Sequence, residues 1–354
     1  MTLHHAEGSH PRTNMINIEK NTSLLPYNTF GIHVQARFFC RISTVPELQE
    51  LIASSLFKNE PRLILGGGSN ILFTKDFQGL VVHIEMKGIE TVMETDERVL
   101  IKVGAGEAWH DFVMHCVNRN WGGIENLSLI PGTVGAAPIQ NIGAYGVEIA
   151  SVIETVEGVD TSTGLVRLFK KDECRFEYRQ SAFKAELKEK IFISSVTLTL
   201  TKKNHVFDIH YGAIQDTLQQ HHVDVISVKK ISDAVIEIRQ SKLPDYKRVG
   251  NAGSFFKNPT LAKDRLQQIQ KMYPSVPSYP SDNQNVKVPA GWLIEQCGWK
   301  GKRMNNVGVH PLQALVLVNY GGGTGEEILQ LAEQIQLSVK EKFNVHLTPE
   351  VNII

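Results

Sequence analysis

Hydrophobic and polar positions along this chain follow a strand period in some blocks and a helix period in others. Residues 99–103, 152–159, 166–169 and 191–200 alternate as half-buried strands do, and the middle two flank a turn at 160–164. Residues 62–65 and 80–84 are short apolar runs of buried-strand length. Leu48, Leu51 and Ile52 follow Ser43, Thr44 and Pro46, which predicts a capped helix. Phe112, Val113 and Cys116 give residues 108–118 helical spacing, and Ile231, Ala234, Val235 and Ile238 do so for 226–239, which Leu243-Pro244-Asp245 ends. A further helix is expected over 262–272. The longest is expected over 326–343, with Ile328, Leu331, Ala332, Ile335, Val339 and Phe343 on one face. Residues 314–318 read as a buried strand, and 349–354 as a terminal strand that carries Glu350. The blocks divide the chain into a flexible N-terminal tail over 1–20, a small αβ lobe over 21–88, a strand-rich part over 89–225 and an α+β part over 226–354.

Composition narrows the class. Lys plus Arg and Asp plus Glu number 37 each, so no polyanion such as nucleic acid is indicated as a partner, nor an acidic membrane surface. Hydrophobic residues make up 42% and charged residues 21% of the 354, ordinary for a globular protein. No apolar run reaches the ~20 residues that span a bilayer. Cys40, Cys116, Cys174 and Cys297 lie too far apart for zinc or redox spacing, so reduced thiols in a cytoplasmic setting are expected and no metal site is.

Residues 124–146 change the picture most. They are rich in Gly, Ala, Pro and Asn and poor in charge, where a solvated loop would carry more Asp, Lys and Ser. Gly and Asn tolerate positive φ, and few side chains protrude, so main-chain groups lie open to anything pressed against them. Gly66-Gly67-Gly68-Ser69-Asn70, directly after a strand, can form a nest of amides for a phosphate. No lysine follows as in a P-loop, and the dinucleotide frames begun at Gly66, Gly104 and Gly321 fail at Ile71, Trp109 and Glu326. A pyrophosphate site therefore fits, outside both common nucleotide folds. Arg179 beside Tyr178, Lys242, Ser254 and Glu350 are polar residues in otherwise structural settings. Taken singly, the plainer reading prevails: Arg179 as a surface ion pair, Ser254 as a turn hydroxyl and Glu350 as an edge-strand charge.

Eight stretches carry a resemblance. They are NTFGIHVQAR (28–37), LGGGSNILF (65–73), ENLSLIPGTVGAAPIQNIGAYGVE (125–148), CRFEYRQSAFK (174–184), KLPD (242–245), GNAGSFFKNP (250–259), AGWLIEQCG (290–298) and KFNVHLTPEV (342–351). In this order they resemble the UDP-N-acetylenolpyruvoylglucosamine reductase family, from about residue 21 to the end of the chain. The resemblance implies an α+β protein with a vanillyl-alcohol-oxidase/PCMH-type FAD-binding fold. Two αβ subdomains would bind FAD non-covalently, and a C-terminal α+β domain would bind substrate. The activity implied is a cytoplasmic, NADPH-dependent reduction of UDP-N-acetylglucosamine enolpyruvate to UDP-N-acetylmuramate for peptidoglycan, by a monomer.

The resemblance also assigns residues. Leu65, Gly66, Gly67, Gly68, Ser69 and Asn70 would hold the FAD pyrophosphate. Ile130, Pro131, Gly132, Gly135, Ala136, Ile139, Asn141, Gly143, Ala144 and Tyr145, with Arg179, would line the flavin. Hydride from flavin N5 would leave an enolate, stabilised by Arg179 and a protonated Glu350 and then protonated by Ser254. Tyr178, Tyr211, Lys242, Asn258, Tyr279, Lys300 and Gln313 would contact substrate or NADPH, with Tyr211 on a closing loop. Ala136-Ala137 replaces a pair that bears hydroxyls in some members, and the chain stops four residues after Glu350. An oxidase of the same FAD fold would often carry a tethering His or Cys in the glycine-rich stretches, which have none. A non-catalytic nucleotide-binding protein would not need Arg179, Ser254 and Glu350 together.

Overall fold

The computed structural model describes residues 16–354; of the tail expected over 1–20, residues 1–15 lie outside the described residues. Glu19 and Lys20, expected in that tail, instead open strand β1 (Glu19–Ser23), because they pair with Phe39 and Phe38 of β2 (Gln35–Ile42). Helices α1 (Val45–Ala53) and α2 (Ser55–Asn59) follow. Thr44 caps α1 through a reciprocal box with Glu47, and Leu48, Leu51 and Ile52 are its buried face. Strands β3 (Arg62–Leu65), β4 (Ile71–Leu72) and β5 (Phe77–Ile84) complete the first part. Its sheet runs β1-β2-β5-β3, parallel around β5.

Strands β6 (Ile89–Glu94) and β7 (Arg98–Gly104) and helix α3 (Trp109–Val117) lead into the glycine-rich stretch, which holds the two-residue strands β8 (Gly143–Ala144) and β9 (Val147–Glu148). Strands β10 (Ile153–Asp160), β11 (Val166–Lys170) and β12 (Ile191–Thr201) close an antiparallel sheet of order β11-β10-β12-β7-β6. Helices α4 (Gly212–Gln220) and α5 (Val228–Lys242) come next. The last part contains β13 (Gly250–Ser254), β14 (Thr260–Ala262), α6 (Lys263–Met272), β15 (Tyr279–Pro280) and β16 (Asn285–Lys287). After them come α7 (Ala290–Gln296), β17 (Arg303–Met304), β18 (Val307–Val309), β19 (Val316–Asn319), α8 (Gly325–Phe343) and β20 (Asn352–Ile353).

The first sheet is buried on both faces, which explains its uninterrupted apolar runs. Cys40, Ile42, Leu80 and Val82 join the core shared with α3 and the antiparallel sheet. The intervening Phe39 and Val81 face the other core, shared with α7, α8, β18 and β19. The final residues return to the first part: β20 pairs in parallel with β4, and Thr74 N donates to Ile354 O at 2.8 Å.

Several elements were not expected from the pattern. β6 exposes every residue except Ile89, so no alternation marks it. α4 buries only Ile214, Thr217 and Leu218. The short strands β14–β16 lie among prolines, and Pro280 is tolerated because β15 is an edge strand. Glu350 is not itself in the terminal strand. It precedes β20, and its amide donates to Phe255 O at 2.8 Å.

Candidate active site

The two glycine-rich stretches close on each other, backbone against backbone at Gly67 and Gly132. A Cβ on Gly67 would come within 2.8 Å of Gly132 Cα, and one on Gly66 within 2.6 Å of Thr133 Oγ1. Ser69 Oγ donates to Pro131 O at 3.2 Å. Gly68 takes φ +60, a value glycine adopts freely. Among the described residues the amides of Gly67, Gly68 and Ser69 have no protein acceptor. Gly67 borders a cleft of about 790 Å³, lined also by His83, Lys87, Ala108, Pro131, Gly132 and Tyr246. That volume lies within the range of roughly 300–1,000 Å³ usual for small-molecule sites. Free amides beside a glycine turn, with Lys87 near, fit the pyrophosphate of a dinucleotide.

The glycine-rich stretch then leads to a cluster of side chains. Glu177 and Gln180 exchange backbone hydrogen bonds of 3.0 and 3.1 Å, so Tyr178 and Arg179 are the two residues of a tight hairpin turn. Arg179 has φ +55, a conformation costing a non-glycine residue about 1–2 kcal/mol. Its guanidinium repays this by donating to Gly143 O at 2.7 Å and Asn141 O at 3.4 Å. Its Nε lies 3.2 Å from Glu350 Oε1 as an ion pair, out of line for a hydrogen bond. Asn141 is buried with φ +45, and its amide donates to Glu148 Oε2 at 2.7 Å and to Glu177 O at 3.1 Å. Asn70 Nδ2 reaches Gln140 Oε1 at 2.9 Å and Glu350 O at 3.3 Å, so the glycine turn and Glu350 meet.

Cations gather around this pair. Lys184 Nζ donates to Arg179 O at 3.2 Å. Burial lowers the Lys184 ammonium from its ordinary value, the Lys257 and Arg179 charges add to this, and Glu350 opposes it. Lys287 Nζ sits 3.2 Å from the centre of the Tyr178 ring, and burial likewise lowers its ammonium. Burial raises the Tyr178 hydroxyl, while the Arg179 charge and the Asn258 side chain oppose this. Tyr279 lies opposite Lys287 across the β15–β16 pair. The structure thus brings Tyr178, Arg179, Asn258 and Glu350 together, with Tyr279 one strand away.

Other expected residues lie apart from this cluster. Ser254 ends β13 opposite Val316, exposed, one residue before the Phe255 carbonyl that holds the Glu350 amide. Tyr211 caps α4 and meets the Tyr145 ring edge-on at 5.4 Å. Lys242 is the exposed last residue of α5. Lys300 pairs with Glu295 at 3.0 Å, and Gln313 Oε1 accepts from Leu315 N at 3.4 Å.

Sequence reasoning missed Lys184, Lys257, Lys287, Asn126 and Arg239. Lys184, Lys257 and Asn126 lie inside the quoted stretches, and that position was their only signal. Arg239 reads as the end of an amphipathic helix, yet burial lowers its guanidinium, the neighbouring Tyr145 hydroxyl opposes this, and its Nε has no hydrogen-bond partner among the described residues.

This arrangement of open backbone and cationic side chains defines a class. Residues 36–168 match the family described as an FAD binding domain, and the protein is an FAD-containing oxidoreductase. Residues 244–354 match the family described as UDP-N-acetylenolpyruvoylglucosamine reductase, C-terminal domain. A protein of Amoebophilus asiaticus (strain 5a2) named UDP-N-acetylenolpyruvoylglucosamine reductase is 50% identical over 339 residues, 96% of this chain and 100% of its own length. A Flavobacterium johnsoniae protein of the same name is 49% identical over 337 residues, 95% of this chain and 99% of its own. The chain belongs to the UDP-N-acetylenolpyruvoylglucosamine reductase family. The crystal structure of the Thermus caldophilus reductase shares the fold, with a TM-score of 0.68 at 22% identity, covering 96% of this chain and 99% of that one.

Proposed function

We propose that this protein reduces UDP-N-acetylglucosamine enolpyruvate to UDP-N-acetylmuramate with NADPH, in the cytoplasmic synthesis of peptidoglycan precursors. Residues 21–88 and 89–225 hold FAD, and 226–354 hold the substrate. The observation that carries the reading is the Arg179–Glu350 pair at 3.2 Å, set against the main chain of Asn141 and Gly143 and flanked by lysines. A lone surface ion pair would need neither the flavin-lining carbonyls nor the left-handed backbone at Arg179. Bound there, FAD would supply the two-electron, hydride-equivalent chemistry between NADPH and the terminal carbon of the enol ether.

The chain's own residues do the rest. The amides of Gly67, Gly68 and Ser69 take the FAD pyrophosphate, and the backbone of 131–145 lines the flavin. Arg179, Lys184 and Lys287 attract the substrate's carboxylate and diphosphate. Negative charge then grows on the carboxylate-bearing carbon. Arg179 faces that charge as a fixed cation. Glu350 faces it as a hydrogen-bond donor once its carboxyl takes up a proton and gives up its charge pairing with Arg179. Preorganised donors of this kind are worth about 2.7–4 kcal/mol each. Ser254 Oγ holds the proton that the carbon takes up. Its exposed position at the end of β13 leaves the hydroxyl accessible to a ligand.

The test is the visible spectrum of the purified protein under anaerobic conditions. A yellow protein that NADPH bleaches, and whose colour returns only with the enolpyruvyl substrate, is the expected result. A yellow protein indifferent to NADPH would replace this reading with that of an oxidase.

A further inference from the structure

The flavin-lining stretch and the loop leading to Tyr211 are joined at one buried side chain, Asn126, which is 1% exposed. Its Nδ2 donates to Tyr145 O at 2.9 Å and to Asp208 O at 2.8 Å. Serving two carbonyls fixes the orientation of the amide and leaves Oδ1 without a partner. The same seam is closed twice more. The Tyr145 and Tyr211 rings meet edge-on at 5.4 Å and 86°. Gly146 has φ +86 and lies so near the loop that a Cβ would come within 2.5 Å of Asp208 Oδ2. Behind the seam, Ile214, Leu218, Ile231, Ala234, Val235 and Ile238 form a small core of α4 and α5, against which Tyr145 packs. The helix pair that carries Tyr211 and Lys242 therefore rests on the cofactor stretch through Tyr145.

We propose that Asn126 is a positioning residue that sets the Tyr211 loop against the cofactor-lining backbone, and so tunes the binding of the nucleotide part of both NADPH and the uridine-diphosphate substrate. This rests on the reading of Tyr211 as a nucleotide contact. The clamp pulls on two carbonyls and touches no reacting atom, so it acts on binding and leaves the chemistry alone.

The test is Asn126→Asp, which keeps the shape but turns a donor toward two carbonyls into a repelling acceptor. The holoenzyme should keep its flavin spectrum, with kcat within about twofold and KM for both NADPH and substrate raised about tenfold, as for a buried hydrogen-bonding group left unpaired. In a Tyr211→Ala background the same change should add less than about twofold, because the two act through one contact. Unchanged KM, a fall in kcat alone, or effects that multiply in the double variant would overturn the proposal. If Asn126→Asp does not fold, Gly146→Ala pushes the same loop from its other side and should show the same KM pattern, and its failure to do so overturns the proposal equally. A wild-type protein that NADPH does not reduce would refute the functional reading instead of the role of Asn126.

Discussion

Between residues 131 and 145 the site is main chain, whereas around Glu350 it is side chain. On the cofactor side, glycines bring two loops together and expose amides and carbonyls. On the substrate side, Arg179 comes from a hairpin turn, Lys287 from β16 and Glu350 from the approach to β20. A surface made of backbone binds by shape, so its variants should change how much cofactor is bound. A surface made of charged side chains attracts an anionic substrate and acts on developing charge, so its variants should change substrate KM or rate with the cofactor still in place.

The largest expected effect tests the substrate side. Ser254→Ala should slow the substrate half-reaction by about 10²–10⁴, the usual worth of a positioned proton donor, and leave flavin reduction by NADPH nearly intact. Stopped-flow absorbance separates the two steps, and an equal loss in both would refute the role. Next is Glu350→Ala, expected to lose about 10²–10³ in the same step, as for a deleted oxyanion donor. Glu350→Gln keeps a donor and should lose far less. Equal losses would show that Glu350 does not act as a donor. Both variants should stay yellow, and a colourless one would erase the distinction between the two sides.

The same distinction explains what could be read in the sequence. The cofactor side is made of two unbroken runs, and one such as Gly66-Gly67-Gly68-Ser69-Asn70 after a strand announces exposed backbone by composition alone. The helix α1, with its Thr44–Glu47 box, and the double-faced β5 are local patterns too. The substrate side is assembled by tertiary contacts. Asn70 and Glu350 stand 280 residues apart and still share a hydrogen bond. Nothing local marks Glu350, and only the ordered family stretches single it out. Lys287 had no signal at all, because its meaning comes from the Tyr178 ring beneath it. Arg239 was hidden for another reason: its helix reads as amphipathic, and its charge reads as solvated until the packing of Tyr145 is seen.

On the cofactor side, Gly67→Ala is the sharper probe. The added Cβ would stand 2.8 Å from Gly132 Cα, closer than such contacts allow, and the atoms it meets are all Gly132 backbone. The loops must separate by some tenths of an ångström, a misfit of the kind that costs about 1–3 kcal/mol. FAD affinity should fall by about 5–150-fold by the same energy. At saturating FAD the rate per bound flavin should match wild type, since no charged group has moved. Fluorescence titration of FAD checks the first statement and turnover per flavin the second. A rate loss that persists at saturation would mean that this backbone does more than bind.

The smallest effect concerns Lys287 and pH. Burial chiefly lowers its ammonium from the ordinary 10.5, Arg179 adds to this, and Glu148 opposes it. The charge is therefore fully present below the lowered value and lost as pH rises through it. Attraction for an anionic substrate should follow the charge, so KM for the enolpyruvyl substrate should begin to climb at a pH below 10.5. Lys184, shifted the same way, adds to this limb. Lys287→Gln should raise KM about fivefold at neutral pH, equivalent to about 1 kcal/mol. It should also flatten, without abolishing, the alkaline rise, because Lys184 still titrates. Its kcat should hold, since Lys287 lies over the Tyr178 ring and not against the Arg179–Glu350 pair. A KM profile identical to wild type would remove Lys287 from the substrate side. A fall in kcat with KM unchanged would place it with the residues that act on charge developing in the reaction.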